Sequence, residues 1–255
     1  MQDPRETQTR WSPSNYVESG VEAERVFVPH RHVSVVGGGE RAEIIGETYR
    51  LLAIAVFSAM AACWATTHYK PLLMLVASPL GFLLSFLGLN LIPGLALSAA
   101  RRSSRNAAML LLGHGAFSGI VLSPLVYVAL LKSGPGIDTP NLVQAALIIT
   151  ATVFLGISGY VYQSGQQFSM LKGFGVGLAW SLLIAIPLNA FMLHSGTMGL
   201  ILSVGVGLLG TLQLLWATSS VLRDPEFRDP AYGALCMFAG LFNFFQAVLS
   251  LLNRR

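Results

Sequence analysis

Met198–Leu222 reads MGLILSVGVGLLGTLQLLWATSSVL, a run with no Asp, Glu, Lys or Arg in it. About 20 mostly apolar residues suffice for a helix to cross the hydrocarbon core of a bilayer. Lipid offers no partner for free backbone groups, so such a run must satisfy its own N–H and C=O groups as a helix. Six further runs share the property: Leu51–Thr67, Leu72–Ala100, Ala107–Leu131, Leu142–Tyr162, Gly173–Leu193 and Ala231–Leu251. The chain therefore reads as an all-α, polytopic membrane protein, a bundle of seven transmembrane helices. The same feature narrows function. Transporters and cation channels keep ionisable groups at membrane depth, and here only His114 falls there.

Composition agrees: 53% of the 255 residues are hydrophobic and 11% charged, against about 25% charged in soluble domains. The formal charge of +4 does not make a nucleic-acid surface, because the basic residues stand at the ends of apolar runs and form no dense block interleaved with aromatics. Cys63 and Cys236 both lie inside apolar runs and read as small buried hydrophobes, not as a disulfide or metal pair. Residues 1–50 carry eight acids, six arginines and three prolines. No signal peptide is read ahead of the first run. Residues 1–40 are expected to be a disordered polar tail and 41–255 the membrane domain. Within Arg41–Arg50, the residues Ile44, Ile45 and Thr48 fall on one side of a short helix leading into the first span. His30 and His32 flank Arg31 with no Cys or third His nearby, so no metal site is expected there.

Counting Lys and Arg by side gives the orientation. With the N-terminus in the cytoplasm, that side receives six tail arginines with Arg101, Arg102, Arg105, Lys172, Arg223 and Arg228, and the other side Lys70, Lys132, Arg254 and Arg255. The Arg254-Arg255 pair dissents unless the last helix enters and returns; seven full spans are favoured. Leu72–Ala100 is too long for one straight crossing and contains Pro79 and Pro93, so tilt or a kink at a proline is expected. Small residues at helix-contact spacing (Gly115 with Gly119, Gly173 with Gly177, Gly207 with Gly210 and Thr211) mark close helix approaches.

No phosphate-cradling loop, zinc helix or nucleophile elbow is present, and no two carboxylates lie in the spans, so an enzyme is not expected. His114 with Ser118 one turn on is the nearest approach to a protease pair, and nothing visible orients the His. His114 is read either as a neutral imidazole bonded inside the bundle or as a proton-sensitive gate. Asn189, Gln213 and Asn243, with Gln144 and Gln246, should turn inward for hydrogen bonds; with His114, the first three are the candidates for a cavity or gate. Arg101, Arg102 and Arg105 are candidates for a cytoplasmic latch onto Asp224 and Glu226, a weak one because exposed pairs contribute about 0–1 kcal/mol each. No cofactor is expected.

From about Arg41 onward the chain resembles the Bax inhibitor family of seven-helix membrane proteins, in its bacterial YccA-like branch. The resemblance is carried by Glu47-Thr48-Tyr49-Arg50-Leu51-Leu52, by Phe117-Ser118-Gly119-Ile120 with Pro124, by Ala151–Gly156, and by Phe168-Ser169 with Leu171 and Gly173. Asn189 with Phe191, and Asn243-Phe244-Phe245 with Leu249 and Leu251-Leu252, complete it. It implies a pair of aspartates, one near the end of span six and one in span seven, that shares protons or binds calcium in a pH-gated leak. At the corresponding positions this chain has Ala217 and Gly240 (or adjacent Ala239), and Gln167 replaces an acid before Ser169. A hard cation wants several charged oxygens, so a calcium role is doubtful. The expectation is an inner-membrane protein without the acidic sensor, acting through a membrane-protein partner such as a protease or larger assembly. A carboxylate-free or His-gated leak is the alternative.

Overall fold

Ile44, Ile45, Thr48, Leu51, Leu52 and Ala55 recur at steps of three and four, so a helix gathers them into one stripe. In the computed structural model they lie on α1 (Gly38–His68), with Thr48, Leu51, Leu52 and Ala55 buried. The structure describes residues 38–100, 104–133, 141–224 and 227–254, with backbone alone at 92–100, 104 and 107. All but the last three residues of the expected tail lie outside them. Among the described residues seven α-helices follow α1: α2 (Lys70–Ala77), α3 (Pro79–Ala100), α4 (Ser104–Ser133), α5 (Leu142–Ser164), α6 (Met170–Leu188), α7 (Gly196–Arg223) and α8 (Pro230–Leu252). The described residues contain no strand.

Six of these helices are long and apolar enough to cross a membrane, and α2 with α3 forms a seventh unit bent by 81°. The single kinked span expected over Leu72–Ala100 is thus two helices. Pro79 has no N–H and pushes the preceding residue out of helical geometry; Ser78 is extended (ψ 157°) and its Oγ accepts from Gly81 N at 3.0 Å, starting α3 as an N-cap. A Cβ at Gly81 would run into the Leu75 carbonyl, so only glycine lets α2 and α3 turn this tightly. Pro93 stays within α3.

Gly115 packs on the Ala55 carbonyl and Gly119 on that of Ala59, so α1 and α4 run parallel. The chain must recross the bundle between them, and α2–α3 makes that crossing. We call the end where α1 begins the near end and the opposite one the far end. α8 packs against α1, α4, α5 and α7, while α6 lies on the outside of α7, and α3 borders α4. α7 and α8 are antiparallel along their whole length: Gly207 faces Ala247, and Gly210 faces the Phe244 backbone. Asn253 Nδ2 donates to Leu125 O at 3.1 Å and Arg254 to Gly196 O at 2.8 Å, both at the far end. α8 therefore traverses the bundle and does not return. Large apolar side chains such as Leu155, Phe174, Trp180, Ile184 and Ile201 are exposed around the outside, a surface suited to lipid and not to water.

Candidate functional site

A helix leaves its last four carbonyls without intrahelical partners, and those carbonyls carry the negative end of its dipole. A planar guanidinium presents several donors in a fixed fork and meets such a set well. Arg41 heads the buried stripe of α1, which carries it to the near end of α7. There Nη1 donates to Asp224 O at 2.7 Å, Nε to Leu222 O at 3.3 Å, and Nη2 to Val221 O at 3.3 Å and Ser220 O at 3.5 Å. Arg223 repeats the arrangement one helix along, with Nη2 donating to Val161 O at 3.0 Å and Tyr162 O at 2.9 Å at the end of α5. Phe168 N donates to Ser219 Oγ at 3.3 Å, tying the α5–α6 link to α7. Lys172 Nζ stands 5.3 Å from the Trp216 ring centre, a cation–π contact. The near end is thus closed by α1, α5, α6 and α7 acting on one another's ends.

The expected latch used other residues. Arg105 is exposed, while Arg101, Arg102 and Glu226 lie outside the described residues. Asp224 is part of the observed closure through its backbone carbonyl, which accepts from Arg41. The signal for Arg41 was its place on the Ile44–Ile45–Thr48 stripe; nothing local announced Arg223.

The four cavity candidates do not converge. His114 of α4 is 4% exposed and presents its ring edge-on to Phe238 of α8, centres 5.8 Å apart at 77°. Its Nδ1 is buried without a hydrogen-bond partner. Ser118 Oγ donates to the His114 carbonyl at 2.8 Å and not to the imidazole, so no Ser–His dyad forms. Gln213 and Asn243 do meet, Asn243 Nδ2 donating to Gln213 Oε1 at 3.4 Å across the α7–α8 contact. Asn189 is occupied elsewhere. It opens a single π-turn (Asn189–Leu193) after α6, its Oδ1 accepts from Ser195 N at 3.1 Å, and its carbonyl accepts from His194 N at 2.8 Å. His194 takes the left-handed conformation (φ 47°) that ends the turn, and Ser195 then caps α7.

The positions aligned with the family's aspartates are both packed. Ala217 is fully buried among Leu51, Leu52 and Val221. At Gly240 a Cβ would stand 2.8 Å from Leu214 Cγ and 3.0 Å from Leu214 N, so the helix contact itself occupies the space. No group of three or more His, Cys, Asp or Glu side chains capable of holding a metal occurs among the described residues. Asp229 caps α8, accepting from Ala231 N at 2.9 Å and Tyr232 N at 3.3 Å.

This fold and this lipid-facing surface define an integral membrane protein built on helical spans. Residues 41–255 match the family described as inhibitor of apoptosis-promoting Bax1, and the chain belongs to that family, the Bax inhibitor family. Among its relatives, an uncharacterised membrane protein of Vibrio cholerae is 25% identical over 214 residues, 84% of this chain and 90% of its own length. An uncharacterised protein of Pseudomonas aeruginosa is 28% identical over 137 residues, 53% of this chain and 58% of its own length. Protein lifeguard 4 of Mus musculus is 32% identical over 115 residues, 44% of this chain and 47% of its own. The chain thus spans less than two thirds of the Pseudomonas relative, and 64% of a Neisseria meningitidis relative.

Proposed function

We propose that this protein acts through protein partners in a bacterial inner membrane, with its N-terminus in the cytoplasm, as a modulator or accessory subunit of a membrane protease or another membrane complex. The observation that carries this reading is the division of the interior polar groups: His114 against Phe238, Gln213 with Asn243, and Asn189 in a turn. Conduction of a hydrated cation needs a connected row of oxygens or charges, and these groups form none. The seven apolar runs contain no carboxylate, and Ala217 and Gly240 are packed where a calcium-binding pair would need room. A bacterial membrane-protein relative covering 84% of the chain supports a bacterial membrane as the setting.

A His-gated leak is the second reading, favoured by the unpartnered Nδ1 of His114. The test is reconstitution in liposomes with calcium and potassium flux read between about pH 6 and pH 8, the range in which histidine changes charge. The expected result is no calcium flux and no switching with pH, alongside stoichiometric recovery of a second membrane protein after in-membrane cross-linking. Robust pH-gated calcium flux overturns the partner reading. Potassium flux lost in His114→Ala would establish the leak instead.

A further inference from the structure

At the near end α1 and α5 touch, the Tyr49 and Phe154 rings lying 6.3 Å apart. Toward the far end they diverge and leave a cleft of about 480 Å³, with α4 and α8 at its back. Its walls include Val56, Cys63 and Trp64 of α1, Val126 of α4, Leu147 of α5 and Phe242 of α8. The volume lies in the range of small-molecule sites, about 300–1,000 Å³. The cleft is open at the side, where Trp64 and Leu147 are exposed.

Three observations identify its occupant. The lining is almost wholly apolar and lies between membrane spans, where the surrounding solvent is hydrocarbon; an unfilled cleft would forfeit the dispersion contacts of its walls. Along α1 it runs from Val56 to His68, about 18 Å at 1.5 Å per residue, close to the roughly 15 Å depth of one leaflet's hydrocarbon. Its polar rim is at the far end: Thr67 and His68 line it, the Trp64 and His68 rings lie 4.7 Å apart at a tilt of 41°, and exposed Lys70 follows as the first residue of α2. The wall itself holds one further hydroxyl, that of buried Thr150 on α5. Trp64 O can only accept, so His68 Nδ1 donates to it at 2.8 Å and leaves Nε2 available. The first turn of α2 has no side-chain cap, and although Pro71 brings no N–H and that of Leu73 goes to the Tyr69 carbonyl, the N–H groups of Lys70 and Leu72 with the Lys70 ammonium give the rim positive character.

We propose that this cleft binds one acyl chain of an anionic phospholipid from the leaflet at the far end, with the phosphate seated at the rim beside Lys70 and His68. The full-length protein is reconstituted in vesicles of phosphatidylcholine doped with phosphatidylglycerol bearing a diazirine in its acyl chain, irradiated, and its adducts mapped by mass spectrometry. Adducts should concentrate on cleft residues such as Cys63, Val126 and Leu147 over the open lipid-facing residues Ile148, Leu155 and Ile184. Leu147→Trp, which fills the cleft, should lose them; Ile148→Trp, on the neighbouring outward face, should keep them. Lys70→Gln, or the same diazirine on phosphatidylcholine, should label the cleft less. Even labelling around the bundle overturns the site in the unaltered protein, whatever the variants do. An unlabelled cleft cross-linked to a second copy or another protein overturns it too, and equal labelling by both lipids overturns the anionic assignment.

Discussion

Arg41 touches four carbonyls of a helix about 180 positions away, and its removal should be felt as loosening of the near end. Hydrogen bonds to charged groups contribute about 1.5–3 kcal/mol, and partial exposure lowers that, so Arg41→Ala should cost roughly 1–2 kcal/mol in a melt of the detergent-purified protein. Arg41→Lys should recover little, because a point charge on a flexible stem cannot meet the same fork of acceptors; full recovery would mean that charge alone closes this end. Gly240→Asp should lower the folded yield sharply, since its side chain would have to part α8 from Leu214. These contacts were unequally legible. The stripe through Ile44, Ile45 and Thr48 was visible and placed Arg41 on the buried side. Its acceptors are main-chain atoms, which have no letter in a sequence. Asn189 shows the converse: an amide inside an apolar run invites an inward-facing role, yet the turn after α6 takes up its hydrogen bonds.

The helices themselves were readable because charge-free runs of this length admit one secondary structure in lipid. The break at Ser78-Pro79 was readable only in part: a proline forecasts a kink, whereas a turn of 81° also needs the Ser78 cap and the missing Cβ of Gly81. Small-residue spacing forecast contacts that two of the three groups make. Gly115 and Gly119 sit on α1, and Gly207 and Gly210 on α8, but nothing lies within 4 Å of a Cβ at Gly173 or Gly177. Substitution should separate them. Gly210→Ala and Gly119→Ala force helices apart and should destabilise by about 1–3 kcal/mol, as overpacking does. Gly173→Ala should instead be neutral or stabilising by up to about 1 kcal/mol, the usual gain on replacing a helical glycine. Thermal unfolding of the three variants in one detergent decides it, and equal losses would put the Gly173 face of α6 against a packed surface.

Parallel α1 and α4 put the segment before α4 and the one after it at opposite ends of the bundle. A topology reporter fused after Ser104 should therefore read the opposite side from one fused after Gly136, the first cytoplasmic and the second external under the proposed orientation. Identical readings would mean that α4 does not cross the membrane. Deleting residues 1–36 should leave a folded, membrane-inserted bundle, because α1 begins at Gly38; under the partner reading it should weaken recovery of the cross-linked protein. The position of α8 has a consequence for biogenesis. Every helix packed around it precedes it in the chain, so they leave the ribosome while their shared interior is still vacant. Until Pro230–Leu252 slides in, the faces carrying Leu52, Leu111, Leu214 and Val221 have lipid or a chaperone for company. A nascent chain stalled before Pro230 should thus be a preferred target of membrane quality control, and its half-life in pulse-chase should be far shorter than that of the finished bundle.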